Sequence, residues 1–171
     1  MFKATADWAP LPLRLVLGFG FIYHGYPKLF TAEGQQMFVG MLQQIGVPAP
    51  GLTSWLVGAV EFFGGLALIL GIGVTIVAVL GIIEMLVAMF TVHLPHGFNF
   101  MNITGMGPEG PEFGMPGYEV NLLYLAGFAA LALLGAGRFS LEEKISGRRT
   151  IDQASRDAPA PAAGVGGVQR G

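Results

Sequence analysis

The sequence predicts an all-α polytopic membrane protein: a four-transmembrane-helix bundle with a short interfacial helix after the first span and a long outward loop before the fourth. Three observations carry this expectation. Charged residues make up only 12% of the chain and mean hydropathy is +0.60. Soluble domains average about 25% charged residues, so polar side chains are too few here to cover a water-facing surface. Residues 52–93 form an apolar run whose only charged members are Glu61 and Glu84. That run is about twice the roughly 20 helical residues needed to cross a hydrocarbon core about 30 Å thick, so it must fold back.

The elements follow in chain order. Residues 1–10 end in Trp8 and Pro10 and suit a surface lead-in with an interfacial aromatic. The first span is expected at about 11–30. Its apolar centre follows Arg14 as a signal peptide's would, but His24-Gly25-Tyr26-Pro27-Lys28 stands where a cleavage site would need small residues, so the segment is read as retained. Over residues 31–53, Met37, Phe38, Met41, Leu42 and Ile45 share one helical face, with Gln35, Gln36, Gln43 and Gln44 elsewhere, the pattern of a helix lying in the interface. The stretch from Gly46 to Gly51 stops it. The second and third spans are expected at about 54–70 and 75–93, turning at Gly71-Ile72-Gly73, where two glycines weaken a helix.

Residues 93–118 are rich in glycine, with Pro95, Pro108, Pro111 and Pro116, and read as a long irregular loop whose Phe and Met side chains fold it down on the bundle mouth. The fourth span is expected at about 119–136. The membrane domain therefore covers residues 1–143. The tail, 144–171, is basic and then Ala/Pro/Gly-rich, a composition that favours disorder. Six of the nine Lys and Arg lie at or beyond Arg138. With four crossings both termini share a side. The excess of positive charge there places both in the cytoplasm of a bacterial inner membrane, with the long loop outward.

Composition also excludes functions. No basic stripe lies outside the tail, so no nucleic-acid partner is expected. The chain has no cysteine, which removes dithiol chemistry and Cys-ligated iron–sulfur centres from its own repertoire.

An ionisable group at bilayer depth costs about 2.5–3.5 kcal/mol or more and needs a partner, a cavity or neutralisation. The predicted topology sends His24, Lys28, Glu61, His93, Glu119, Asn121 and Tyr124 to the outward half of the bundle. His24 and Lys28 are an i, i+4 pair. Arg14, Gly18, Phe21, Gly25 and Lys28 form a stripe whose glycines would let another helix approach closely. Two readings stand side by side. In one, Glu61 sits in a structural ion pair and Lys28 reaches for the interface. In the other, Glu61 and His24, with His93 as a further candidate, line a pocket where a proton is exchanged with a bound redox ligand. Lys28 or Arg14 would then set the charge of the carboxyl. Glu84 lies mid-membrane, about 180° from His93 on a straight helix, so those two do not share a narrow pocket. It either pairs with Arg14 or stays neutral and hydrogen-bonded between helices. His93 and His96, with Met101, Met106 and Met115 nearby, are weak candidates for a soft metal or a haem. Their spacing matches no fixed motif, and no metal is predicted.

Several motifs occur together: Arg14 with Gly18; the run from His24 to Phe30; Gly46-Val47-Pro48-Ala49-Pro50; Glu61-Phe62-Phe63-Gly64-Gly65-Leu66; and the closing run from Gly135 to Leu141. In order and spacing they resemble the DoxX family of small four-helix bacterial membrane proteins over about residues 11–143. Glu142 stands where the family's closing motif usually has Asp. The resemblance implies a cytoplasmic-membrane protein, in some relatives a subunit linked to quinone and in others a partner of redox or stress-response proteins. Three functions follow as expectations. The first is the membrane subunit of a quinone-linked oxidoreductase, with electrons supplied by a partner. The second is a non-catalytic anchor or assembly protein. The third is a small-solute or proton-coupled carrier using Glu61 and Glu84 as stations at two depths. The candidate partners are the bilayer, a protein in the membrane or cytoplasm, and a second copy of the chain.

Overall fold

The structure is a computed structural model and describes residues 7–147. It is mostly helical. Helix α1 spans Pro10–Phe30, α2 Ala32–Gln44, α3 Pro50–Leu70, α4 Val74–Ala88 and α5 Glu119–Leu134. Among the described residues, two helices are long and apolar enough to cross a membrane: Pro50–Leu70, and the continuous run Val74–His96. Outward-facing side chains on the other helices are apolar too, including Val16, Phe19 and Leu133. Water would penalise such a surface; lipid does not.

Boundaries follow from local chemistry. Pro10 and Pro50 stand in first turns, where a missing N–H costs nothing. The second long helix therefore begins at Pro50, four residues before the expected Ser54. Thr31 caps α2 by accepting from the Gly34 N–H at 3.1 Å. The turn between α3 and α4 is where the sequence placed it, with Gly71 and Gly73 at φ +72° and +58°.

Two expectations change. The third span is not one straight α-helix: after Ala88 it loosens into a π-turn over Met89–His93 and then tightens into a 3₁₀ turn over Leu94–His96. Nor is the long loop irregular throughout. Strands β1 (Ile103–Gly107) and β2 (Gly110–Phe113) form an antiparallel hairpin. Backbone hydrogen bonds from Gly117 to Asn99, Tyr118 to Gly97 and Glu119 to Phe98 fasten its base.

The core joins α1, α3, α4 and α5 through Leu17, Phe21, Leu68, Val74, Val77, Ala78, Phe128 and Leu131. Helices α1 and α3 make the most extensive contact. A β-carbon on Gly18 would stand 2.8 Å from the Gly65 carbonyl oxygen, and one on Gly25 2.9 Å from that of Gly58. Glycine is thus required on both helices, and the backbones meet directly. Beyond α5, residues 141–147 are helical and capped by Ser140. The remainder of the predicted tail lies outside the described residues.

Candidate functional site

Close packing of α1 on α3 brings two charges together. Lys28, on the last turns of α1, donates to both carboxylate oxygens of Glu61, which is 4% exposed in the middle of α3. Gly58 makes this possible, since a β-carbon there would stand 3.0 Å from the Lys28 β-carbon. Helix α2 closes the site from the side: the Phe38 ring lies 4.2 Å beneath the Lys28 ammonium, a cation–π contact.

Glu84 completes the cluster. Its carboxyl on α4 lies within hydrogen-bonding reach of Glu61 and within electrostatic reach of Lys28. The alternative pairing of Glu84 with Arg14 is not what forms, and the hairpin explains why. Glu61 stands ten residues before Gly71 and Glu84 eleven after Gly73, so antiparallel α3 and α4 carry them to one level. Equal distance from the turn was the signal in the sequence that would have found this pair. The same geometry replaces the idea of two stations at two depths with a single two-carboxyl site.

Other candidates take different places. Tyr124 on α5 lies within electrostatic reach of Glu61, stacked on Phe21 and tilted against Phe128. Asn121 is buried one turn away, its amide 4.0 Å from the Met85 thioether. His24 is exposed, edge-on to Tyr23 with ring centres 5.7 Å apart, and both Glu61 and Lys28 act on it electrostatically. Beside it an open groove of about 410 Å³ is lined by Phe19, Ile22, Tyr23, Tyr26 and Pro27. His93 is engaged elsewhere, its Nδ1 2.9 Å from the Pro116 carbonyl oxygen at the foot of the hairpin. His96 is exposed, and among the described residues no group of three His, Asp or Glu side chains could hold a metal ion.

Arg14 forms a second buried centre, without an acid. It is 1% exposed and donates to four carbonyl oxygens: Leu68 at 2.8 Å, Ile69 at 3.0 Å, Ala136 at 2.6 Å and Phe139 at 3.0 Å. The first two belong to the C-terminal turn of α3 and the others follow the end of α5, where helix dipoles present partial negative charge. Glu142 secures the same end by accepting from the Gly73 N–H at 3.1 Å while its own N–H donates to the Gly71 carbonyl. An acid at position 142 is therefore a cap for α4. The glycine-rich run from Gly135 to Leu141 is the strap that Arg14 holds.

This arrangement joins the separated sequence motifs: Arg14 to the closing run, and the His24–Phe30 motif to the Glu61 motif. The DoxX family model matches residues 9–94. The chain belongs to the DoxX family. The uncharacterized membrane protein Rv3486 of Mycobacterium tuberculosis is 32% identical over 143 residues, covering 81% of this chain and 82% of that protein. The Bacillus subtilis protein named "Putative oxidoreductase CatD" is 33% identical over 88 residues, 52% of this chain and 62% of CatD. No solved structure matches this DoxX chain. It is a bacterial membrane protein of that family.

Proposed function

We propose that this DoxX protein is the membrane subunit of a quinone-linked oxidoreductase, with Lys28, Glu61 and Glu84 as its proton-exchanging centre. The observation that carries the reading is Glu84. A structural ion pair needs one acid and one base, and Lys28 with Glu61 already supplies both. A second carboxyl held against that pair goes beyond what the ion pair itself requires and is costly at bilayer depth. A hydrogen bond between two carboxyl groups requires one of them to carry the proton, because an ionised carboxylate only accepts. In this reading Lys28 balances one carboxylate, and the other carboxyl carries a proton that the pair can pass on.

The groove on α1 would offer a lipid-soluble ring an open, apolar and partly aromatic surface. Phe19, Ile22, Tyr23 and Tyr26 would hold the ring. A quinone supplies an acceptor for two electrons and two protons. His24, exposed beside Tyr23 and within electrostatic reach of Glu61, would act as the proton relay. On this proposal electrons come from a partner protein; a redox role of some kind is in keeping with the name of the relative "Putative oxidoreductase CatD". In this reading α1 and α5 also cross the inner membrane, α2 lies in the interface, and both termini are cytoplasmic. His93 positions the loop by its bond to Pro116.

Purification in mild detergent followed by organic extraction tests the proposal. Quinone should be recovered, and added quinone should raise the melting temperature. Repeated absence of quinone, with no effect of added quinone on melting, would overturn it. A pure anchor, whose acids only hold helices together, would regain full function along with stability in the double variant Glu61→Gln/Lys28→Met.

A further inference from the structure

We infer that the apolar face of the β1–β2 hairpin is a lipid-insertion surface, dipping into the headgroup–acyl boundary of the bilayer that holds the helices. The register makes one face. Ile103 pairs with Phe113 and Met106 with Pro111, so these four side chains share a side, while Gly105 pairs with Glu112 on the other. A bulge between Ile103 and Gly105 is what aligns Ile103 with Met106; without the extra residue they would face opposite ways. Independent packing fixes the opposite side. The Glu112 carboxylate lies over Gly105 and Gly107, 3.2 and 2.8 Å from where their β-carbons would stand.

Among the described residues nothing covers the apolar face. Ile103 is 55% exposed, Phe113 60% and Met106 79%. Two-stranded hairpins are at best marginally stable alone in water, so a hairpin presenting such a face needs a cover. The loop is held in place rather than trailing. Asn102 donates to the Met115 carbonyl at 2.9 Å, the Phe100 N–H donates to Glu119 at 3.0 Å, and His93 meets Pro116.

Lipid is the occupant favoured by position and charge. The hairpin follows closely in the chain on the apolar Val74–His96 run, a candidate membrane span whose last turns expose Phe90 and Leu94 as the hairpin exposes its own apolar side chains. Residues 93–118 contain no Lys or Arg, and the acids Glu109 and Glu112 lie at the turn and on the opposite face. The surface therefore binds by apolar insertion and not by attraction to anionic headgroups.

The full chain is tested with its two native tryptophans replaced, Trp8→Phe and Trp55→Phe, and a single probe introduced as Met106→Trp or Phe113→Trp. It is reconstituted in phosphatidylcholine vesicles whose acyl chains are brominated near the headgroup. Both probes should emit at short wavelength and lose about half their intensity to the brominated lipid. A Glu109→Trp probe at the turn should remain solvent-like and unquenched. Because Met106 and Phe113 are surface residues, helicity and melting of each variant confirm that folding is intact. Unquenched, solvent-like emission from both face probes would overturn the inference. So would quenching that vanishes as protein is diluted in lipid, accompanied by hairpin-to-hairpin cross-links, which would assign the face to a second copy.

Discussion

Two buried cations sit on one helix, fourteen residues or about 21 Å apart, and they are satisfied in opposite ways. Arg14 finds only backbone carbonyls from the ends of two other helices, groups that cannot gain or lose a proton. Lys28 finds the Glu61 carboxylate, with the Glu84 carboxyl within electrostatic reach. The guanidinium suits the first role because its planar fork donates in several directions and stays charged at any accessible pH. The ammonium of Lys28 instead completes a set of groups whose protons can move. Charge at the turn end of this bundle is architecture; charge at the α2 end is, on the proposed reading, chemistry.

That comparison breaks most sharply at Arg14. Arg14→Met takes the guanidinium donors from four carbonyls, of which Leu68 keeps the Gly71 N–H, and thermal unfolding in detergent should show a loss on the order of 4 kcal/mol. Arg14→Lys should rescue little, because one ammonium cannot reach carbonyls on both helix ends. At the other end, Lys28→Met strands Glu61 and should cost about 3 kcal/mol, most of it recovered in the double variant with Glu61→Gln. Redox activity in membranes should stay lost in that double variant. Recovery of both would move this site into the architectural class with Arg14.

Gly25→Leu tests whether the pair depends on backbone approach. Its side chain would push α1 from Phe62 and Glu61, lowering stability by about 2 kcal/mol and parting Lys28 from Glu61. Phe38→Leu removes only the ring beneath Lys28 and should cost about 0.7 kcal/mol in the same melting assay. Glu84→Gln sharpens the contrast furthest for least stability. The amide still hydrogen-bonds Glu61, so melting should shift by less than about 1 kcal/mol. Proton-coupled activity should nevertheless collapse. An active Glu84→Gln variant would remove the acid pair from the chemistry.

The turn of the α3–α4 hairpin was legible in Gly71 and Gly73 because a break in an apolar run has few other meanings. The stripe Gly18–Gly25 showed where a helix would approach, though not that its partners would be Gly65 and Gly58. The hairpin at Ile103–Phe113 was hidden by glycine and proline, which signal turns but not the pairing between them. Its bulge is a matter of register that composition does not carry.

By itself the sequence determined the solvent, the long apolar helices, the turn between two of them and the list of ionisable groups that burial would make expensive. Those properties are local, set by side-chain transfer energies and helix length. Only the tertiary structure decided the partners: Glu84 with Glu61 rather than with Arg14, Arg14 with carbonyls rather than with any acid among the described residues, and His93 with the loop before α5. Pairing depends on the depth and rotation at which separate helices pack, and the π-turn after Ala88 and the glycine contacts of α1 on α3 set those only once the helices have met.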